Sequence, residues 1–287
     1  MIPFNGQNKG NVFRMKIWWR VWKSLKKLRK QHHAIGLLSF WCTECALVGK
    51  YFASRFGLRH YCWILGQDAK QDNKFVAFIR PEPEGLVAMS AFLAKEFYKS
   101  HNILPRHIIP NGVVTEMFDK TAMERNIDIL GAGSLIPLKQ YDLFIELIKD
   151  IRKHLPEIRA AICGKGPEEN KLKALIKEYG LEANISLFGE IPHQQVLQWM
   201  QRSKVFLHTS RYEGFSSVCL EALYAGAHVI SFCNPLTEKI DHWYLVESKE
   251  EMLNKMASIL LDDGTAYEPV LAFSMDDSAK SMMRLFR

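Results

Sequence analysis

From about Ala34 onward, apolar runs of strand length alternate with longer segments of helical period, joined by short connections. A parallel strand pair needs a crossover, usually a helix, so this alternation predicts an α/β fold with parallel sheets covered on both faces. In the first part the pattern predicts strands over 35–41, 60–65, 85–89 and 106–110, with helices over 43–56 and 92–99. The second part is more regular: strands over 128–130, 160–163, 185–188, 205–208 and 228–232, separated by helices over 141–154, 168–179, 194–201 and 217–224. A chain of 287 residues suits two domains. The turn signal Asn111-Gly112 and the polar stretch 119–126, read as a linker, put the boundary near residue 120, giving domains 1–120 and 121–287.

Hydrophobic residues at 48% and charged residues at 24% are ordinary for a globular chain and exclude disorder and collagen. The richest apolar stretch, 34–53, is broken by Thr43, Glu44 and Lys50, so no membrane span is expected. The N-terminus lacks the order of a signal peptide, and the expectation is a cytoplasmic protein. Six cysteines (Cys42, Cys45, Cys62, Cys163, Cys219, Cys233) sit inside apolar runs and read as reduced, buried thiols. The lone pair Cys42 and Cys45 lacks the partners of a zinc site.

The net charge of +7 is concentrated at one end. Nine bases and no acid precede Glu44. On a helical wheel Phe13, Ile17, Trp18, Val21, Trp22, Leu25 and Leu28 share one side, while Lys16, Arg20, Lys23, Lys26, Lys27 and Lys30 share the other. Two readings follow: a basic amphipathic helix over 13–30 lying on an anionic membrane surface, or a helix docked by its apolar face with solvated lysines. Nucleic acid is not expected, because no base-reading motif accompanies the charge.

Chemistry is concentrated at four strand-to-helix junctions, which a parallel sheet lines up along one rim. Gly131-Ala132-Gly133-Ser134 is followed by Lys139, six residues after Gly133. The others are Gly164-Lys165-Gly166-Pro167, the run from Phe188 through Gly189 and Ile191 to Pro192, and Ser210-Arg211-Tyr212-Glu213-Gly214-Phe215-Ser216-Ser217 opening a helix. Glycine lets a ligand approach the backbone, and a helix N-terminus favours an anion, so the expected guest carries phosphate. Glu213 just before the last helix and Glu221 one turn inside it flank the anion-binding end, which suits a nucleotide sugar with hydroxyls on both sides of its phosphates.

The run from Glu213 to Glu221, continued by Ala222 to Ile230, resembles the E-x7-E signature of retaining GT-B glycosyltransferases of glycosyltransferase family four. The run Ile109 to Val113 with Phe118, the segment from Gly133 to Lys139, Gly164 to Pro167 and Phe188-Gly189 match that family's other landmarks in order. The resemblance covers residue 85 to the C-terminus well and 1–84 poorly, and it implies two Rossmann-like domains with parallel sheets, the N-terminal one shortened. It also implies that residues 274–287 return to the first domain.

Carried over by position, the resemblance implies that Glu213 contacts the transferred sugar and Glu221 the donor ribose. Gly214, Phe215, Ser216 and Ser217 cradle sugar and phosphate, while Gly133, Ser134 and Lys139 face the diphosphate. Gly164, Gly166 and Ile191 border the base. Lys139 neutralises the leaving group, where charge develops most. The implied reaction is retaining transfer of a hexose from a nucleotide diphosphate sugar to a saccharide or lipid-linked acceptor, without metal or other cofactor. Three departures favour a rival reading, a non-catalytic GT-B-like protein acting by binding or through a partner. Ser134 stands where the family often has arginine, Leu65-Gly66-Gln67-Asp68 stands where it often has His-Gly-x-Asp, and the opening strand with its glycine-rich loop is missing.

Overall fold

A computed structural model of the chain describes residues 2–3, 11–121, 123–236 and 238–287. Its contacts divide the chain after Pro110: one unit runs to Pro110 and includes Ala279–Arg287, and the second is Asn111–Ser278. The boundary therefore falls ten residues before the sequence-based position. The stretch read as a linker is fastened within the second unit: the Asp119 amide donates to Gln201 Oε1 at 3.2 Å, and Arg125 reaches the carbonyls of Ser203 and Ala225.

The first unit contains β1 (Gly36–Phe40), β2 (Arg59–Ile64), β3 (Leu86–Ala88) and β4 (His107–Ile108), all parallel and in simple order β1-β2-β3-β4. Its helices are α1 (Asn11–Gln31), α2 (Glu44–Phe56), α3 (Lys74–Ile79) and α4 (Ala91–His101). Helix α2 buries Ala46, Val48, Phe52 and Ala53 and stops at Gly57, whose φ of 65° supplies the left-handed cap. Side chains of Asn73 and Ser90 cap α3 and α4 by accepting from Phe75 and Leu93 amides. Helix α3, not expected from the sequence, has only six residues and too little pattern to register.

Helix α1 is docked by its apolar face. Ile17 and Val21 are buried against Val48, with Trp18, Trp22 and Leu25 packed beside them, and the Trp22 ring meets Phe52 edge-on at 4.9 Å. Arg14 pairs with Glu44 in the first turn of α2. Trp18 and Trp22 thus belong to the unit's own packing, while Met15 and Trp19 are exposed, with Lys23 Nζ 3.4 Å from the centre of the Trp19 ring. The C-terminal residues are fastened to β2: Leu285 O accepts from Arg59 Nη1 and Tyr61 OH at 3.1 and 2.8 Å.

The second unit contains β5 (Ile127–Ala132), β6 (Ala160–Cys163), β7 (Ile185–Gly189), β8 (Ser203–His208), β9 (His228–Ser231) and β10 (Trp243–Leu245) in one parallel sheet of order β10-β9-β8-β5-β6-β7. Strand residues alternate between two cores as period two requires. Ile129, Ile162, Val205 and Leu207 pack with α5 (Tyr141–Ile151), α6 (Glu169–Glu178) and α9 (Lys249–Leu260). Leu130, Ala161, Cys163 and Phe206 pack with α7 (His193–Gln201) and α8 (Ser217–Tyr224). Strand β10 and helix α9 extend the expected series; Ser248 caps α9 by accepting from the Glu251 amide at 3.1 Å. The last helix, α10 (Met275–Arg284), follows the bridge between Val113 and Ser274. Both units carry the expected parallel α/β architecture, and the first has four strands where the second has six. No described helix is long and apolar enough to cross a membrane.

Candidate functional site

Strand order sets the site. From β5 the chain steps outward through β6 to β7, then returns to the other side of β5 as β8 and steps outward to β10. Helices after β5 and β8 therefore leave in opposite directions, and the crevice between the carboxyl ends of these strands is where such sheets take ligands. The loops after β5 and β8 are stitched together there. Thr209 Oγ1 donates to Lys139 O at 2.6 Å, and Ser210 Oγ donates to Leu138 O at 3.2 Å.

Lys139 ends a short turn, Pro137–Lys139, and Gln140 with φ 50° separates that turn from α5. The Lys139 ammonium pairs with Glu213 Oε1, and the same oxygen accepts from His208 Nε2 at 3.1 Å. His208 closes β8 and is buried. Burial alone would raise the Glu213 carboxyl; the His208 hydrogen bond and the Lys139 charge outweigh it and hold the group down at about 2. Glu213 is thus a fixed carboxylate at neutral pH.

Glu221, on α8, has a separate partner. His193 Nε2 lies 3.0 Å from its Oε1, reaching over from the start of α7. Burial raises the Glu221 carboxyl and His193 opposes the rise. The two acids of the signature are therefore tuned in opposite directions. Between them Ser216 sits at the N-cap of α8 with its hydroxyl buried away from any oxygen or nitrogen partner, and Ser217 Oγ accepts from Asn111 Nδ2 at 3.1 Å. Gly214 is buried, and Phe215 packs half-buried on the α7–α8 core. The first amides of α8 lack intrahelical acceptors, as at every helix N-terminus, and favour an anion.

The glycine junctions have a different physical basis from the one the sequence suggests. The Gly133 amide donates to Cys163 O at 2.9 Å and the Gly164 amide to Gly189 O at 2.8 Å, so both amides are spent within the sheet. A Cβ on Gly164 would lie 1.8 Å from Gly133 O, and one on Gly166 2.3 Å from Leu135 O. These glycines let the β5 and β6 loops dock, and what they bring to the rim is a bare surface. Ser134 is exposed on that rim, and Ile191 is half-buried beyond β7.

The structure thus gathers Lys139 and Glu213 at the crevice, aligns Gly133, Ser134, Gly164 and Gly166 on adjoining loops, and places Glu221 toward α7. His193, His208 and Thr209 are the residues the sequence reading missed. Their only linear cue is that His208 ends an apolar strand five residues before Glu213 and His193 opens a helix after proline.

Residues 114–269 match the family described as glycosyl transferases group 1. Among relatives, the gpi3 subunit of phosphatidylinositol N-acetylglucosaminyltransferase from Schizosaccharomyces pombe is 27% identical over 206 residues, covering 69% of this chain and 45% of that protein. The chain spans about half the length of that relative. Sucrose-phosphate synthase from Thermosynechococcus elongatus superposes with a TM-score of 0.74 at 16% identity, covering 100% of this chain and 82% of the other. A TarM variant from S. aureus, solved with fondaparinux, alpha-GlcNAc-glycerol and UDP, superposes at 0.68 with 18% identity, covering 91% and 58%. At such identities the superpositions establish the GT-B fold. With more than half its residues inside the family match and the signature acids in place, the chain belongs to the group 1 glycosyl transferases.

Proposed function

We propose that this chain transfers a hexose or N-acetylhexosamine from a nucleotide diphosphate sugar to a saccharide or lipid-linked acceptor, with retention at the anomeric carbon. The observation that carries the proposal is the meeting of Lys139 and Glu213 at the crevice between β5 and β8. Lys139 turns from Glu213 to the diphosphate as negative charge builds on the leaving group, and the α8 N-terminus shares that charge. Glu213, held ionised, accepts from hydroxyls of the sugar, and Glu221 accepts from the ribose. Gly133, Ser134, Gly164, Gly166 and Ile191 leave the space for phosphate and base. In this reading Lys139 supplies the cation, and chelator leaves binding unchanged. The relative named for N-acetylglucosamine and phosphatidylinositol, and the neighbour solved with UDP, make UDP-N-acetylglucosamine the first donor to test and a lipid acceptor the first acceptor class.

Calorimetry on the full chain should show UDP binding that weakens about 10- to 100-fold in Lys139→Ala, the range for a charged hydrogen bond. Equal affinity of wild type and variant removes Lys139 from the site. A second reading, binding without turnover, is favoured by Leu65, which stands where the family often has a histidine. It predicts UDP binding with no sugar released or transferred.

We further infer that the protein works at the cytoplasmic face of an anionic membrane through the exposed side of α1, where Met15 and Trp19 stand among Lys16, Arg20, Lys23, Lys26 and Lys27. Sedimentation with phosphatidylserine vesicles should be lost at high salt and in Trp19→Ala, whereas binding to neutral vesicles alone would contradict it.

A further inference from the structure

The signature explains why Glu213 is present but not why a buried histidine faces it. Glu213 Oε1 accepts from two donors of different character, the Lys139 ammonium on a flexible four-carbon stem and the His208 imidazole fixed at the end of β8. A carboxylate only accepts, so His208 carries its proton on Nε2. If the diphosphate draws Lys139 away, as the proposed function requires, Glu213 is left with a side chain only 15% exposed and a multiply charged anion nearby. Such a carboxylate takes up a proton or swings out, and either change removes its acceptor oxygen from the sugar. His208, itself 4% exposed, stays in place.

We propose that His208 is a positioning residue that keeps Glu213 aimed at the sugar, and ionised, while Lys139 serves the diphosphate. The inference rests on the donor-site reading above and adds a division of labour to it: one partner of Glu213 is released during the reaction cycle and the other is permanent. Thr209 and Ser210, which follow His208 directly, bond the carbonyls of Lys139 and Leu138, so a single short segment sets both the lysine's backbone and the glutamate's second donor. The stacked Phe206 ring, 6.4 Å away and at 17°, orients the imidazole.

The test compares His208→Gln, whose amide nitrogen can replace Nε2, with His208→Asn, whose shorter amide cannot reach Glu213. Both are polar and smaller than histidine, so a purely structural role for His208 predicts similar behaviour. Affinities for UDP and UDP-N-acetylglucosamine are measured on the full chain from pH 5 to 8, and their ratio isolates the sugar's contribution. In His208→Asn this ratio falls about tenfold, the loss of one charge-assisted hydrogen bond, while UDP affinity changes little. The loss deepens toward low pH, because Glu213 now takes up a proton there. His208→Gln restores both the ratio and the flat pH profile. If UDP binds and the two variants give the same ratio at every pH, the positioning role is overturned and the donor site stands. If neither probe binds wild type, the donor-site reading fails, and this inference falls with it. If His208→Asn does not fold, a ratio in His208→Gln that matches wild type at every pH supports the role, and a ratio that falls overturns it.

Discussion

The two units are built from the same parts, parallel strands and covering helices, yet they treat their key acids in opposite ways. In the second unit the sheet order reverses at β5, a crevice opens, and Glu213 is held ionised by a lysine and a histidine. In the first unit the order β1-β2-β3-β4 runs in one direction without reversal. Its acid after β2, Asp68, is 1% exposed and accepts from the Leu65 amide at 2.8 Å, with no described cation paired to it; burial pushes its carboxyl up to about 6. In the first unit Arg14 of α1 pairs with Glu44 and Asp68 has no described cation beside it, whereas the second unit brings Lys139 to Glu213. Whether a buried carboxyl is held down or pushed up follows from what the topology sets beside it.

The sharpest way to test this contrast is through the glycines. Gly164→Ala puts a methyl 1.8 Å from Gly133 O at φ 154° and should destabilise the protein by about 3 to 5 kcal/mol, the sum of backbone strain and overpacking. Urea denaturation measures it. Gly57→Ala, at φ 65° with open space around it, should cost only about 1 kcal/mol, the left-handed penalty alone. Equal losses would mean that the docking of the β5 and β6 loops is not what the glycine serves.

A smaller effect separates the acids by pH. The folded Glu213 value lies below its ordinary 4.5, so its contribution is complete above 4.5 and disappears as pH falls toward 2. The folded Asp68 value lies above its ordinary 3.8, so its contribution is complete below 3.8 and is lost as pH rises through 6. Against wild type, Glu213→Gln should therefore lose stability mainly above pH 4.5, and Asp68→Asn should gain it mainly above pH 6, each by about 1 to 2 kcal/mol. Thermal melts between pH 3 and 8 read both, and parallel profiles for the two variants would erase the distinction between the units.

Much of this was legible in the linear pattern. The central strands of the second unit, β5, β6, β8 and β9, are buried on both faces and so read as continuous apolar runs, and Lys139, Glu213 and Glu221 follow from spacing and resemblance. What was not legible depends on which elements become neighbours. Lys139 meets Glu213 because β8 lies beside β5, and His193 meets Glu221 because α7 lies beside α8. No local pattern encodes those adjacencies. Gly164 and Gly166 were legible as special positions, but their reason, the approach of one loop to another, became visible only in three dimensions. Trp18 and Trp22 show the same limit: the wheel grouped them correctly and left open that α2 covers them. The short helix α3 and the three-residue strand β10 carry too few residues for any period to stand out.

The placement of β8 next to β5 also has a consequence for how the protein comes into being. The two ends of the Lys139–Glu213 contact are 74 residues apart along the chain, and β6 and β7 with their helices lie between them. A contact of that span forms only after the intervening loop has closed, so it belongs to the slow, non-local phase of folding. During synthesis, a chain that has emerged through β7 already has its lysine but not its acid, and the ion pair must wait for the return strand.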